Sequence, residues 1–438
     1  MARIKRTLLG VVVAMVTIPL LAGVVYLPQV KATWSGFEAR CALVEKAHAQ
    51  EPLVGPMVRA STPGDSAAEG AGAWEAYMHA LRTAGRYGLG CWAFSISLAQ
   101  NGSEQEAERD ARLALLDRSQ PALRELRRSA SATDRAFDLD WSAESWEHPW
   151  GVAPLSVRIG GDDLFFASVD LPNLASLHFR EALAAGDPDA VEFLLDALQL
   201  SSDMASLPLL SESASGASSL VPHAWFAFGQ EGVWNQLQDE ALDRLIEGLD
   251  RVDAGLETMG DVQSVHVVLA ARCFGESLLG PLSPGGTALR FVLGPLVEYI
   301  LTDAVQAYGS LFELAEANRT ALEAGGGVEP MQALDRLAAS LKGAELYRDW
   351  APGAQEIYNK GLSDFRSHTK RRLRGLARLR LLRRALYDLA GRDGGPQETR
   401  LGHPLKVVPG EAEVRYLVDH PFYADVEVWQ LKAARRRG

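Results

Sequence analysis

Twenty-four consecutive residues without a charge, Thr7 to Val30, constrain this chain more than any other feature. The run is apolar through Leu8–Leu9, Val11–Val13, Ile18, Leu20–Leu21 and Val24–Leu27. About 20 apolar residues, rising ~1.5 Å each in a helix, cross a ~30 Å hydrocarbon core, and this run is long enough. Arg3, Lys5 and Arg6 precede it and only Lys31 closely follows it. The positive-inside rule then keeps the N-terminus in the cytoplasm and places everything after residue 34 outside. Residues 1–34 therefore read as a cytoplasmic tip and single-pass inner-membrane anchor, with the C-terminal domain periplasmic or extracellular. Pro19 is no objection, since membrane helices tolerate proline. A cleaved signal is the alternative, with Val30-Lys31-Ala32 as the cleavage step, but secretory apolar regions run only ~7–15 residues. A lipoprotein is disfavoured because Leu20-Leu21-Ala22-Gly23 is followed by Val24 where a lipid-bearing cysteine is required.

The 438 residues are 47% hydrophobic and 23% charged, which excludes wholesale disorder. A net charge of −12 argues against nucleic-acid binding, which needs a basic footprint. Three cysteines, Cys41, Cys91 and Cys273, are too few for a disulfide framework. Cys41 and Cys91 pair in one reading; in the favoured one all three are small core residues.

Past the anchor the pattern is helical. Phe37 to Ala49 reads as a juxtamembrane helix, and the prolines and glycines of 51–72 as a linker, so residues 35–72 form one unit. A helical domain then spans 73–400. Trp74, Tyr77, Met78 and Leu81 recur at helical spacing, and Tyr87–Ala99 gives a second helix. Ser103 with Glu106 forms a capping-box pattern for a third, running to Arg128. Trp141, Trp146 and Trp150 cover a core beneath a long loop, and Leu155–Ile159 with Leu164–Val169 read as a hairpin. Pro172–Met204 is an αα-hairpin turning at Ala184-Ala185-Gly186, with Asp187 capping the second helix and Pro188 at its first position. The Ser/Ala/Gly-rich stretch Ser206–Ser219 reads as a loop. Helices follow at Val233–Leu256, Val262–Leu279, Thr287–Leu322 with a break at Gly294-Pro295, Pro330–Tyr347 and Asp364–Leu389. Phe291–Leu301 is strongly apolar but too short to span, hence a core helix. Residues 401–438 hold a small β-flap, with strands at Leu405–Val408, Val414–Val418 and Val426–Leu431. The fold class is mainly α: a transmembrane helix, an irregular, repeat-like αα-hairpin domain and a C-terminal β-flap.

No linear motif names a reaction. Gly325-Gly-Gly327 lacks the Lys-Ser/Thr of a phosphate loop, Gly-x-Ser-x-Gly is missing, and the histidines are dispersed. Ser367-His-Thr-Lys370 matches Ser-x-x-Lys, yet its companion elements are missing. No catalytic residue, cofactor or metal is expected. The outstanding feature is Arg366, Lys370, Arg371, Arg372, Arg374, Arg378, Arg380, Arg383 and Arg384, nine cations with no acid among them, which leaves 35 cations against 56 acids elsewhere. Leucines recur through it at i, i+3 and i+4, giving an amphipathic helix with a basic face. Such a face contacts anionic lipid, grips an acidic partner, or packs against the protein's own acids.

Gly72-Ala-Trp74-Glu-Ala-Tyr77, the Ala185–Pro188 turn, Leu379–Leu389, Leu401-Gly-His-Pro-Leu405 and His420-Pro-Phe422 together resemble a loose group of uncharacterised bacterial membrane-anchored helical proteins. The chain departs from their Asp-Pro-Phe step by interposing His420. The resemblance implies architecture and no activity. The sequence therefore predicts a membrane-anchored extracytoplasmic helical scaffold that binds a protein partner or the membrane surface. The alternative is a cell-envelope hydrolase acting on peptidoglycan, glycan or lipid through a site assembled from distant residues.

Overall fold

A computed structural model describes residues 28, 31–59, 72–85, 106–137, 158–159, 162–256, 259–279, 287–324, 331–343 and 350–431. Thr7–Leu27, Tyr87–Ala99, Cys91 and the three tryptophans at 141–150 lie outside the described residues. Among those described, no helix is long and apolar enough to cross a membrane.

Helix α1 (residues 31–50) buries Phe37, Cys41 and His48 at helical spacing and leaves its other faces in solvent. The Phe37 ring lies 6.0 Å from that of Phe312, and Arg272 pairs with Glu38 and Glu45 at 3.0 Å each. The segment 51–59 is extended, as its prolines require, and it is laid across the body. Val58 is 1% exposed; its N–H donates to Gln199 Oε1 at 2.7 Å and its carbonyl accepts from Arg251 at 3.0 Å. Residues 31–59 thus share the body's core: the helix expected at Phe37–Ala49 is present, and the described part of the expected 51–72 linker is packed against the body.

Helices α2 (Ala73–Gly85) and α3 (Glu106–Ala130) pack together. Trp74, Tyr77 and Met78 are buried, as their spacing predicts. Of the expected hairpin before the next helix, the described residues show β1 (Arg158–Ile159) and β2 (Asp162–Asp163), antiparallel through Arg158↔Asp163 and Ile159↔Asp162. Helix α4 (Leu164–Ala184) then absorbs the predicted strand Leu164–Val169. A continuous apolar run fits a buried strand or a buried helix equally well, and here the helix, carrying Pro172 inside it, wins.

The turn to α5 (Val191–Ser206) is the predicted αα-hairpin. Gly186 takes a positive φ of 75°, the Asp187 N–H returns to the Ala182 carbonyl at 2.9 Å, and the Gly186 N–H to Leu183 at 3.0 Å. These bonds close the helix end as a Schellman motif. Asp187 does not cap α5 directly. Its carboxylate accepts from the Asp189 N–H at 2.9 Å, and the helix starts two residues later.

Ser206–Ser219 is the clearest correction to the sequence reading. Leu210–Ser219 is a helix, α6, at the centre of the molecule between α4, α5 and α12 (Pro352–Leu389). Small residues let it sit there: a Cβ on Gly216 would lie 2.4 Å from the Ala205 nitrogen of α5. One on Gly375 of α12 would lie 2.1 Å from the Ala217 carbonyl of α6.

Beyond it come α7 (His223–Gln230), a 3₁₀ turn at Val233–Gln236, α8 (Asp239–Gly255), α9 (Met259–Leu279), α10 (Thr287–Ala324) and α11 (Gln332–Gly343). Phe179, Phe228, Trp225 and Trp234 form an aromatic cluster, with Trp225–Trp234 edge-on at 6.1 Å. Helix α10 continues through Gly294-Pro295 without the predicted break. Helix α12 begins twelve residues before the predicted Asp364. The flap is as predicted: β3 (Leu405–Pro409), β4 (Glu413–Val418) and β5 (Glu427–Leu431), antiparallel in that order. The protein is mainly helical with a small C-terminal sheet.

Candidate functional site: an arginine-rimmed cleft

The basic run lies on α12, and its members diverge. Arg366 pairs with Asp335 at 2.6 Å. Arg374 pairs with Asp425 at 2.8 Å, donates to the Phe422 carbonyl at 2.9 Å and sits 5.3 Å from that ring's centre. Arg378 lies over Phe226, and Arg384 pairs with Asp388 one turn on. Lys370 and Arg371 are exposed, as is Ser367, so the Ser-x-x-Lys pattern is spread over an open helix surface.

Arg380 and Arg383 alone converge. With Arg400 they surround Asp253, whose side chain is only 5% exposed. Arg380 Nε lies 3.0 Å from both carboxylate oxygens, Arg400 Nε lies 3.4 Å from one, and Arg383 bonds the other. Arg383 Nε also donates to Asp250 at 2.7 Å, and Tyr387 OH reaches the same carboxylate at 2.7 Å. The loop is drawn in by its backbone: Arg380 donates to the Glu398 carbonyl at 3.0 Å and Arg400 to the Leu256 carbonyl at 2.9 Å.

These groups line a cleft of about 670 Å³ between the C-terminal ends of α8 and α10, the middle of α12 and residues 398–401. Ligand pockets typically measure ~300–1,000 Å³. Leu256, Leu322, Leu373, Leu376 and Leu401 give the cleft an apolar lining. The lining holds four arginines (Arg319, Arg380, Arg383, Arg400) and four carboxylates (Asp250, Asp253, Glu323, Glu398), so the cleft is formally neutral in a chain of net −12. On the opposite wall Arg319 pairs within its own helix, with Glu316 at 2.7 Å and Glu323 at 3.7 Å, and also feels the carboxylate of Asp261 on α9. The cleft thus presents paired guanidinium and carboxylate groups at its rim over an apolar floor.

Arg372, the one buried member of the run, belongs elsewhere. It donates to the Ala205 carbonyl and to Ser213 Oγ at 3.0 Å, and burial pulls its guanidinium down to about 9. Beside it His368 Nε2 meets Ser213 Oγ at 3.1 Å, while Gln263 and Asn318 tie to Thr369 Oγ1 at 3.0 and 3.2 Å. Because Ser213 Oγ donates to the Ala205 carbonyl at 2.7 Å, it accepts from His368, which is therefore the neutral Nε2–H tautomer. Burial, then Arg372, hold that imidazole well below its usual range. The Ser–His contact resembles a nucleophile–base pair, but it is enclosed and its serine is turned to the backbone. His178 is similarly inert, bonded to Ser119 Oγ at 2.8 Å and lowered by burial to about 4. Cys41 is a buried thiol that burial pushes up to about 12.

Among the described residues no group of His, Cys, Asp or Glu has the geometry of a metal site. Asp250, Asp253, Arg319 and Arg400 escape the sequence reading because isolated charges on an acidic protein carry no signal. The one clue is that Arg380 and Arg383 share a helix face. No family model matches the chain, and neither a curated protein nor a solved structure is similar to it.

Proposed function

We propose that this chain is a membrane-tethered, extracytoplasmic helical scaffold whose arginine-rimmed cleft receives an acidic segment of a partner protein. The observation that carries the reading is the convergence of Arg380, Arg383 and Arg400 on an open cleft with leucines beneath. The guanidinium edges supply donors for the segment's carboxylates, and apolar area holds it. The tether is the uncharged run Thr7–Val30, and α1, which follows it directly, is packed into the body rather than hung on a loose linker. Motion of the anchor is therefore passed to the scaffold without slack.

Arg319 provides a clean test, since its pairs are exposed and its loss leaves no buried carboxylate unpaired. Full-length protein in zwitterionic nanodiscs is titrated with a fluorescent peptide alternating Glu and Leu. Binding should weaken about tenfold on Arg319→Glu, and also as salt rises from ~0.05 to ~0.3 M. Binding that ignores both, or no binding at all, overturns the cleft reading. A C-terminal alkaline phosphatase fusion that is inactive in cells overturns the topology.

A further inference from the structure

Arg378 is half-buried, yet among the described residues it has neither an ion pair nor a hydrogen bond. Its guanidinium carbon lies 5.9 Å from the centre of the Phe226 ring of α7. Lys370 and Arg371 are unpaired as well, but they are exposed and water solvates them. A partly buried charge is costly to keep without a counter-charge. The one carboxylate that Arg378 feels is Asp425, which is already bonded to Arg374 at 2.8 Å. The other charge it feels is Arg374 itself, one turn earlier on α12. Burial, more than either, pulls the Arg378 guanidinium below its ordinary value. On α7, burial and then the Arg378 charge lower the His223 imidazole.

Three elements meet at this place: α7, the middle of α12, and the 3₁₀ turn Pro421–Tyr423 between β4 and β5. Arg374 is fixed to that turn by the Phe422 carbonyl at 2.9 Å and lies 5.3 Å from the Phe422 ring centre. Two arginines thus stand one helical turn apart, each beside a phenylalanine. Lys370 and Arg371 continue the same face of α12 towards its start. Four cations, of which one is paired with one acid, give this stripe a formal charge of +3 in a chain of −12. It is separate from the cleft, because Arg378 and Arg380 are two residues, or ~200°, apart around the helix.

A guanidinium lying over an aromatic face keeps its N–H edge for a second partner. The partner that suits two such edges is a phosphate monoester. Its three terminal oxygens and charge near −2 engage both arginines at once, where a single carboxylate neutralises only one. We propose that Arg374 and Arg378, approached along Lys370 and Arg371, form a binding site for a phosphate monoester. The site goes beyond the cleft reading and does not depend on it. A soluble phosphate compound and a phospholipid headgroup both carry this chemistry.

Phenylglyoxal footprinting of the full-length protein, read by mass spectrometry, tests the site and separates the two sources. One arm uses dodecyl maltoside micelles with or without inorganic phosphate. The other uses phosphatidylcholine vesicles with or without phosphatidic acid. At ligand well above its dissociation constant, modification of Arg374 and Arg378 should slow at least about threefold, while exposed Arg336 keeps its rate. Slowing by inorganic phosphate supports the site with a soluble ligand. Slowing only in vesicles containing phosphatidic acid supports it with a headgroup. Arg378→Gln should abolish the protection of Arg374. Asp425→Asn, which removes the stripe's one paired acid, should lower the half-protecting phosphate concentration about threefold to fivefold. No slowing in either arm overturns the site. So does equal slowing by acetate or sodium chloride at matched ionic strength, or a half-protecting concentration that Asp425→Asn leaves unchanged.

Discussion

Whether the basic face of α12 is held by the protein's own acids can be decided at Asp253. Asp253→Asn preserves shape and removes one charge from beneath three guanidiniums, those of Arg380, Arg383 and Arg400. Breaking a fully buried ion pair costs about 3–5 kcal/mol. The three arginine side chains are 13–22% exposed, so water recovers part of that, and about 2–4 kcal/mol is expected. The loss should be local to α8, α12 and residues 398–401, which the carboxylate ties together. Hydrogen exchange of the full-length protein in nanodiscs reads it: at ~1.4 kcal/mol per tenfold, amides of Asp239–Gly255 and Leu379–Leu386 should exchange about 30- to 800-fold faster. Amides of α2 and α3 should not change. Arg319→Gln, whose pairs are exposed, should stay within about 0.5 kcal/mol everywhere. A less than twofold change in α8 and α12 on Asp253→Asn would refute the reasoning, because the arginines would then not depend on that carboxylate.

Gly216→Ala should destabilise by about 1–3 kcal/mol or more, since its methyl meets the α5 backbone rather than a side chain that can turn away. A melting temperature unchanged from the parent would show that α6 does not cross α5 so closely. For pH, His178 is 4% exposed with a folded value of about 4 against an ordinary 6.5, so the unfolded chain binds the extra proton between those values. Its contribution is complete above pH 6.5 and is lost as pH falls through 4, the loss amounting to about 2–3 kcal/mol by pH 4.5. His178→Gln should flatten the stability–pH curve in that window, and an unchanged slope would place the acid sensitivity elsewhere.

Features that depend on a few consecutive residues were legible in the sequence. The α4–α5 turn needs a glycine that accepts positive φ followed by Asp-Pro, and the β-flap needs alternation and a Pro-Gly turn. Helix α6 was not legible. Leu-Ser-Glu-Ser-Ala-Ser-Gly-Ala-Ser-Ser has the composition of a linker, and it is a helix because Met204–Ala205 on one side and Gly375 on the other leave room only for small side chains. The early start of α12 was hidden in the same way: Gly361 looks like a breaker, yet it seats Leu311 of α10. The basic run was conspicuous, but its role was not. Arg380 and Arg383 find Asp253 and Asp250 some 130 positions earlier, and no local pattern encodes that encounter.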